Sequence, residues 1–314
     1  MPQVSVIVPN YNGRNLLPRT VDSLCGLRIP AQGLEILLID DGSTDGSRAW
    51  LEQQSLPEHF HLLFHEKNRG RSAARNTGLK VARGEMIVFL DGDLTCTPDL
   101  VLEHLDALSA PGVHAVAGHV KSAPGTPRTR VNRYLYESSC RGARQFHADQ
   151  PLPFQYLLTN NMSIRRRVLD SGIRFSEEFD GYGGEDTLFA WQVQQRCPNG
   201  LRYASGAVAC DHDVHELDLL INKFSHYGRI NLPRLLEKIP QEQSALRADW
   251  VLGSGFRSRV SRWIFSPMIR RVVRSLWPVV PVPCSDFVVR YLLAAAVMGE
   301  FQQAVSSRQG NPAS

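Results

Sequence analysis

The chain has 314 residues, of which 43% are hydrophobic and 21% are charged, a balance typical of a globular protein with a sizeable buried core. Its formal net charge of +4 is too small to indicate a nucleic-acid-binding protein, especially since no basic run is interleaved with stacking aromatic residues. The composition excludes fibrous and disordered proteins and favours one large domain with an appendage.

The first hundred residues alternate short apolar runs with helix-like segments, the pattern of a parallel sheet covered by helices. In chain order the predicted elements are strand 4–8, helix 14–25, strand 35–39, helix 45–54, strand 60–64, helix 71–82 and strand 86–90. The fold class predicted from this order is α/β, with a mostly parallel sheet flanked by helices.

The alternation of apolar runs and helix-like segments is weaker further along the chain. Residues 121–155 contain several prolines and glycines and predict a connector with a short helix near 130–143. A strand is expected at 161–164, a helix at 185–196, and helices throughout the segment from about 216 onward. We therefore expect an α/β domain at 1–215 and a helical C-terminal extension at 216–314.

Localisation signals are few. The start of the chain lacks the basic region, long apolar stretch and small-residue cleavage site of a secretory signal, and the six cysteines are scattered, which favours a reducing cytoplasm. Arg290 and Glu300 interrupt the most apolar late segment, Tyr291 to Gly299, so no membrane-spanning helix is expected. Any membrane contact is expected to be peripheral, on the inner face of the cytoplasmic membrane.

Each of the first four strands is followed by a polar cluster. The clusters are Pro9-Asn10-Tyr11-Asn12-Gly13, Asp40-Asp41-Gly42-Ser43, His65-Glu66-Lys67-Asn68-Arg69-Gly70 and Asp91-Gly92-Asp93. In open α/β sheets, ligands bind beyond the carboxyl ends of the strands, so these clusters should converge on one crevice.

The triplet Asp91-Gly92-Asp93 places two carboxylates just past a buried strand, with a glycine that would let a ligand approach the backbone. Paired oxygen ligands suit Mg²⁺ or Mn²⁺, which can bridge a diphosphate. An acidic turn between a strand and a helix is the alternative, because Asp and Gly are common turn residues.

Two further clusters favour a nucleotide ligand. A carboxylate such as Asp41 at a strand end can accept hydrogen bonds from a base or a ribose, although the polar residues beside it can also cap the next helix. The run 68–76 opens a helix with three arginines, which suits anionic phosphates. It lacks the pattern of a nucleoside-triphosphatase loop, and no dinucleotide-binding glycine motif follows the first strand.

Acidic and imidazole side chains downstream add candidate chemistry. Glu185 and Asp186 follow a glycine pair at the start of a predicted helix, where a carboxylate can act as general base or simply favour the helix N-terminus. His212 or His215 could complete the coordination of a metal held by Asp93, whereas a lone histidine is more often structural.

Five ordered segments together resemble family 2 glycosyltransferases of the GT-A fold, which are inverting enzymes that use nucleotide-sugars. The segments are VSVIVPNYNG at 4–13, ILLIDDGSTDGS at 36–47, NRGRSAARNTGL at 68–79, GEMIVFLDGD at 84–93 and FDGYGGEDTLFAWQV at 179–193. Five motifs in the correct order are far more specific than any one of them.

The resemblance implies a role for each matching residue. Pro9, Tyr11 and Asp41 are similar to the nucleoside pocket, with Arg75 beside the phosphates. The expected nucleotide-sugar-binding residues are Pro9, Tyr11, Asp41, Arg75, Asp91 and Gly92; the expected metal ligands are Asp93, Asp91 and His212; the expected catalytic residues are Asp186 as base and Glu185 as the acid that positions the acceptor. Residues 1–93 would be the nucleotide-sugar-binding half and 94–215 the acceptor half.

The implied reaction is direct displacement of a nucleoside diphosphate, assisted by Mn²⁺ or Mg²⁺, from a UDP-, GDP- or dTDP-sugar. The acceptor would be a hydroxyl of a glycan, a lipid-linked molecule or a small molecule, and no nucleic-acid partner is expected. A haloacid-dehalogenase-like phosphatase is an alternative, because Asp91-Gly92-Asp93-Leu94-Thr95 matches its nucleophile motif. That motif usually lies on the first strand, so its position after three βα units weakens the alternative; a catalytically inactive GT-A scaffold is the third hypothesis.

The segment from Val251 to Leu276 contains six arginines and no acidic residue, interspersed with aromatic and aliphatic side chains. This composition suits an amphipathic helix on an anionic membrane surface. A helix packed on the catalytic domain with solvated arginines fits equally well.

Overall fold

The computed structural model describes residues 2–139 and 141–310, with the side chains of 308–310 left out. Its strands are β1 Val4–Asn10, β2 Leu34–Asp40, β3 Phe60–Phe64, β4 Met86–Leu90, β5 Leu94–Cys96, β6 Ala115–Ser122, β7 Asn161–Arg165 and β8 Leu201–Asp211. Its helices are α1 Leu17–Cys25, α2 Ser47–Glu52, α3 Arg71–Val81, α4 Leu100–Ser109, α5 Arg130–Tyr136, α6 Arg166–Leu169, α7 Glu185–Arg196, α8 Leu217–His226, α9 Leu232–Lys238, α10 Asp249–Leu252, α11 Phe256–Ile264, α12 Pro267–Leu276 and α13 Ser285–Gly310.

The eight described strands form one mixed sheet in the order β3-β2-β1-β4-β7-β6-β8-β5. Strands β3, β2, β1 and β4 are parallel, β7 runs antiparallel between β4 and β6, and β6 pairs parallel with β8. The predicted α/β fold is confirmed. The antiparallel pairs lie in the second half of the sheet, where the sequence pattern was weakest.

The first four strands begin and end within two residues of their predicted bounds. The apolar runs of β1, β2 and β4 are buried almost completely, whereas β3, at the edge of the sheet, is mostly half-buried. Helix α1 begins at Leu17 instead of the predicted 14, since the amides of Leu16 and Leu17 both donate to the Gly13 carbonyl in a tight turn. The register sets Asn10 opposite Asp40, so the polar clusters after β1 and β2 start at the same edge.

Helix α3 lies unusually close to the sheet. A Cβ on Gly78 would stand 2.6 Å from Cγ2 of Ile7 and 3.1 Å from Cδ1 of Ile39, which only a glycine avoids. This close approach fixes the distance of α3 from β1 and β2. Arg75, on the same helix, is therefore placed beneath the carboxyl edge of the sheet.

The chain divides into two compact units. The first comprises residues 1–126, 139–177 and 185–213, and contains the sheet. The second comprises 127–138, 178–184 and 214–314. Helix α5 belongs to the second unit because Val131 and Leu135 join a buried cluster with Leu217 of α8 and Leu292 of α13.

Helix α13 supplies much of the core of the second unit. Its Ala295, Val297 and Phe301 are buried in a cluster with Leu232 and Phe265. The described part of the C-terminal segment, 217–310, is mostly helical, as predicted, with short 3₁₀ and π segments between the helices. The predicted helix near 130–143 is shorter and ends at Tyr136, with a 3₁₀ turn at Gly142–Gln145; Cys140 lies outside the described residues.

Within the described residues, one helical stretch, Val282–Ser307, is long and apolar enough to cross a membrane by length and composition alone. Arg290 and Glu300 lie within this stretch and do not take it out of that range, in contrast to the expectation from the sequence. Half of its most apolar window is buried within the protein.

Candidate active site

The polar clusters after β1 and β2 are tied together at the carboxyl edge of the sheet. The side-chain amide of Asn10 donates to Oδ1 of Asp40 at 2.7 Å, and the amide of Asp41 donates to the Asn10 carbonyl at 2.8 Å. Pro9 is half-buried beside them and the ring of Tyr11 is exposed. The edge therefore offers an open aromatic surface on a fixed backbone.

The side chain of Asp41 is buried and points into the protein. Its Oδ1 lies 2.6 Å from Nδ1 of His65 and accepts a hydrogen bond from the Arg69 amide, while its Oδ2 accepts one from the Gly70 amide at 2.8 Å. Nε2 of His65 lies 2.9 Å from the hydroxyl of Thr77. Both oxygens thus hold the loop that begins α3, and the sequence motif alone did not reveal His65 and Thr77 as their partners.

Arg75 links the two acidic pairs. Its side chain is only 2% exposed, Nη2 lies 2.6 Å from Oδ1 of Asp91, and Nη1 lies 3.8 Å from Oε1 of Glu185. The guanidinium also lies over the Phe175 ring, 5.4 Å from its centroid. The resemblance placed Arg75 beside phosphates; the structure buries it and directs it at two carboxylates that are about ninety positions apart in sequence.

Glu185 and Asp186 are adjacent but differ in environment. Glu185 is buried, with Nε of Arg71 3.5 Å from its Oε1, whereas Asp186 is partly exposed and accepts a hydrogen bond from the Thr187 amide. Burial, and then the charge of Asp186, raise the pKa of Glu185 to about 7, although Arg71 and Arg75 act in the opposite direction. Glu185 therefore keeps its proton to a higher pH than an ordinary glutamic acid.

The loop before these acids belongs to the second unit. The side-chain amide of buried Asn231 donates to the carbonyls of Asp180, Tyr182 and Gly183 at 2.7, 3.1 and 2.8 Å. Asn231 ends a π-helical turn, Tyr227–Asn231, a feature often found at functional sites. Sequence reasoning missed this residue, because nothing in the local pattern of a helical segment singles out one asparagine.

Gly92 is required by backbone packing. A Cβ there would stand 2.4 Å from the Pro9 carbonyl oxygen, and the Gly92 carbonyl accepts a hydrogen bond from the Thr20 hydroxyl at 3.0 Å. The sequence argument explained this glycine by the approach of a ligand. The structure shows the end of β1 next to Gly92, so this glycine also sets the position of Asp91 and Asp93 on either side. Its part in ligand binding stays a prediction.

Asp93 is exposed to solvent yet surrounded by protein on most sides. This partial burial, and then the charges of Asp91, Asp211 and Asp213, raise its pKa to about 7. Asp211 ends β8, whose pairing with β5 sets it opposite Leu94. Crowded carboxylates of this kind attract hard divalent cations, which oxygen ligands favour.

The two candidate histidines, His212 and His215, lie in different units. Nε2 of His212 lies 2.9 Å from the Thr95 hydroxyl and Nδ1 lies 3.5 Å from Nη1 of Arg19, so both ring nitrogens face protein groups. His215 belongs to the second unit and contacts the Tyr136 hydroxyl at 2.7 Å. Across residues 2–139 and 141–310, no three His, Cys, Asp or Glu side chains stand together in a metal-holding arrangement. The ligand set Asp91, Asp93 and His212 stays a prediction.

These features have counterparts in known proteins. The chain belongs to glycosyl transferase family 2, whose family model matches residues 5–172. The match extends from the first strand through β7 and includes the Asp91-Gly92-Asp93 triplet.

Relatives match over limited segments. Glycosyltransferase AglE of Haloferax volcanii is 30% identical over 135 residues, 43% of this chain and 44% of that protein. The putative teichuronic acid biosynthesis glycosyltransferase TuaG of Bacillus subtilis is 41% identical over 93 residues, 29% of this chain and 36% of that protein. The chain thus matches less than half the length of either relative.

Solved structures match over nearly the whole chain. The mannosyltransferase PcManGT from Pyrobaculum calidifontis, in complex with GDP-Man and Mn2+, has a TM-score of 0.58 at 21% identity and covers 95% of this chain and 87% of its own. S. aureus TarS 1-349 has a TM-score of 0.56 at 19% identity, covering 99% and 92%. At this identity the likeness establishes the fold, which is the GT-A fold that the sequence motifs implied.

We expect Gly92→Ala to lower the free energy of unfolding by about 1–3 kcal/mol, because the added methyl group overlaps the Pro9 carbonyl. Chemical denaturation measures the change. The matched control is Gly26→Ala in the same unit, where φ is −84° and an added Cβ would meet atoms no closer than 3.5 Å. Equal destabilisation by both substitutions would contradict the packing role of Gly92.

We expect Glu185→Gln to gain stability over the native protein as pH rises from about 4.5 to about 7. In that window the folded native protein binds more protons than the unfolded chain, so its stability falls with rising pH, whereas glutamine does not ionise. The gain is on the order of 2 kcal/mol and is constant above that window. Thermal unfolding at pH 5 and pH 8 measures it, with exposed Glu58→Gln as control; a gap that does not grow with pH refutes the assignment.

Proposed function

We propose that this protein is an inverting glycosyltransferase that moves a sugar from a nucleoside-diphosphate sugar to an acceptor hydroxyl. The observation that carries the proposal is the buried Arg75, which lies between Asp91 of the predicted donor half and Glu185 of the predicted acceptor half. Family membership supports the reaction class, and structurally similar proteins hold UDP, UDP-GlcNAc or GDP-Man.

In this proposal the donor binds at the carboxyl edge of β1, β2 and β4. The exposed ring of Tyr11, beside Pro9, stacks on the nucleobase. Asp41 acts through the loop that it holds, since both of its oxygens already accept hydrogen bonds from residues 65–70. Asp91, fixed by Arg75, presents its remaining oxygen to the ribose or the metal.

The carboxylates around Asp93 fit a divalent cation in charge and in donor type, since Asp91, Asp211 and Asp213 all act on Asp93. Asp93 and Asp91 would hold Mn²⁺ or Mg²⁺, and His212 would need to leave Thr95 or Arg19 to join them. When bound, the cation offsets negative charge on the departing diphosphate. Asp93 is accessible, as a residue that meets both metal and ligand must be.

In the transfer itself, Asp186 takes the proton of the acceptor hydroxyl, whose oxygen forms a bond with the anomeric carbon. The bond from that carbon to the diphosphate breaks, and its electron pair leaves with the diphosphate. A single displacement inverts the anomeric centre. The burial of Glu185 suits it to positioning Arg75 and Asp186, so the contact with the acceptor falls to Asp186.

The direct test is a panel of UDP-, GDP- and dTDP-sugars, with thermal stabilisation measured with and without Mn²⁺, because a ligand of the native state raises its stability. We expect one nucleotide class to stabilise the protein in a metal-dependent way and to be hydrolysed slowly. Hydrolysis of an aryl phosphate in its place would favour the phosphatase alternative, and donor binding without turnover on any acceptor would favour an inactive scaffold.

We expect Asp186→Asn to bind the nucleotide-sugar with unchanged affinity and to lose at least about a hundredfold in kcat, the usual contribution of a general base. Calorimetry of donor binding and steady-state kinetics separate the two effects. Asp170→Asn, which changes another surface acid of the first unit, is the control. A normal rate in Asp186→Asn would remove this residue from the mechanism.

We expect Asp93→Ala to weaken donor binding in the presence of Mn²⁺ by about tenfold or more, while metal-free binding changes little, because Asp93 interacts with the donor through the cation. Isothermal calorimetry with and without a chelator measures both affinities. The metal assignment fails if the Asp93→Ala protein keeps the full Mn²⁺ dependence of the native chain.

A further inference from the structure

Helix α12 exposes its apolar side. Met268, Val272 and Leu276 follow one another at four-residue intervals and are 72%, 50% and 51% exposed. Residues four apart lie on one face of an α-helix, so these three form a continuous strip. None of the ten residues of α12 is buried. A surface helix of a soluble domain normally turns such a strip toward its core.

The charged residues of α12 are instead paired within the second unit. Arg270 lies 3.5 Å from Glu300 of α13, and Arg274 forms a two-pronged ion pair with Asp218 of α8. These contacts hold the polar side of the helix against its neighbours. The apolar strip of Met268, Val272 and Leu276 is therefore held outward by the ion pairs on the opposite side.

Exposed apolar side chains continue on both sides of α12. Phe256 and Trp263 of α11 are 78% and 66% exposed, and Val279 and Phe287 after α12 are also exposed. The sequence from 250 to 285 contains six arginines and no aspartate, glutamate or lysine. Aromatic rings, aliphatic side chains and arginines without acids are the composition of interfacial membrane segments.

A cavity of about 730 Å³ lies beside α12 in the second unit. Its lining includes Arg229, Arg270, Arg271 and Arg274 together with two acids, Asp218 and Glu300. Four guanidinium groups against two carboxylates leave a surplus of positive charge, even after the two ion pairs are counted. Guanidinium groups bind phosphate oxygens in paired hydrogen bonds, so the cavity suits a phosphate group.

We propose that α12 docks on an anionic phospholipid surface, where Met268, Val272 and Leu276 enter the boundary of the acyl region and the arginine-lined cavity takes a lipid phosphate. A second copy of this chain is a poor occupant, because two-fold pairing through α11 and α12 would bring the exposed Arg257, Arg259 and Arg271 of the two copies together. The binding needs neither donor nor metal, so it is independent of the proposed transferase chemistry.

Flotation of the full-length protein with vesicles tests the proposal. We expect it to float with vesicles of equal parts phosphatidylglycerol and phosphatidylcholine, and the doubly substituted Met268→Ser, Leu276→Ser protein to bind them at least about tenfold more weakly, since two apolar side chains no longer enter the bilayer. Both positions are exposed, so folding is retained. Ile29→Ser, a 54% exposed residue of the first unit, is the control.

Substitutions of arginine by glutamine test the second part of the proposal, the binding of a lipid phosphate in the arginine-lined cavity. We expect Arg229→Gln with Arg271→Gln to weaken binding to phosphatidylglycerol vesicles by about thirtyfold, which corresponds to roughly 1 kcal/mol for each arginine near the surface. Binding to pure phosphatidylcholine should change much less, because its choline group neutralises the charge of its phosphate. Exposed Arg167→Gln is the matched control. Free inorganic phosphate at millimolar concentration should not displace the vesicles, because it lacks the acyl chains.

Several outcomes would overturn the proposal. They are equal flotation of the native and apolar-strip variants, equal loss in Ile29→Ser, displacement by inorganic phosphate alone, and a concentration-dependent dimer that the apolar-strip variant abolishes. Flotation is measured without nucleotide-sugar, so an inactive protein that floats would contradict the transferase proposal and leave lipid binding intact.

Discussion

The site depends on the ion pairs that the buried guanidinium of Arg75 forms. Placing a charged group under the sheet edge is unfavourable unless other groups compensate it. Asp91 does so through an ion pair at 2.6 Å, and Glu185, from a distant segment, lies 3.8 Å from Nη1. The face of Phe175 covers the remaining side. Because α3 is pressed against β1 and β2 at Gly78, the arginine has little freedom to move, and the two acids are held in a fixed relation.

The two acidic pairs, Asp91 with Asp93 and Glu185 with Asp186, differ in the charges that surround them. Around Asp93 the neighbours are carboxylates, so the local potential is negative and a cation relieves it. Around Glu185 two arginines lie close, and burial still raises its pKa. In the proposed displacement the first pair would hold the metal-bound diphosphate, and Asp186 of the second pair would take the proton of the acceptor hydroxyl.

Contacts within the second unit fix the loop 180–183 and also orient helix α12. Asn231 holds the loop 180–183, from which the chain continues directly to Glu185 and Asp186. Helix α12 turns its arginines inward and its apolar strip outward. Both sets of contacts lie within the second unit, and separate experiments test what each one does.

The sequence by itself determined the order and bounds of the first four strands, because buried parallel strands are continuous apolar runs, and it located the acids at their ends. It also identified the family through five ordered motifs. Only the tertiary structure decided that Asp41 faces inward, that Gly92 packs on Pro9, and that Arg75 bridges two acids. Those facts depend on contacts between segments far apart in the chain, and local periodicity carries no information about such contacts.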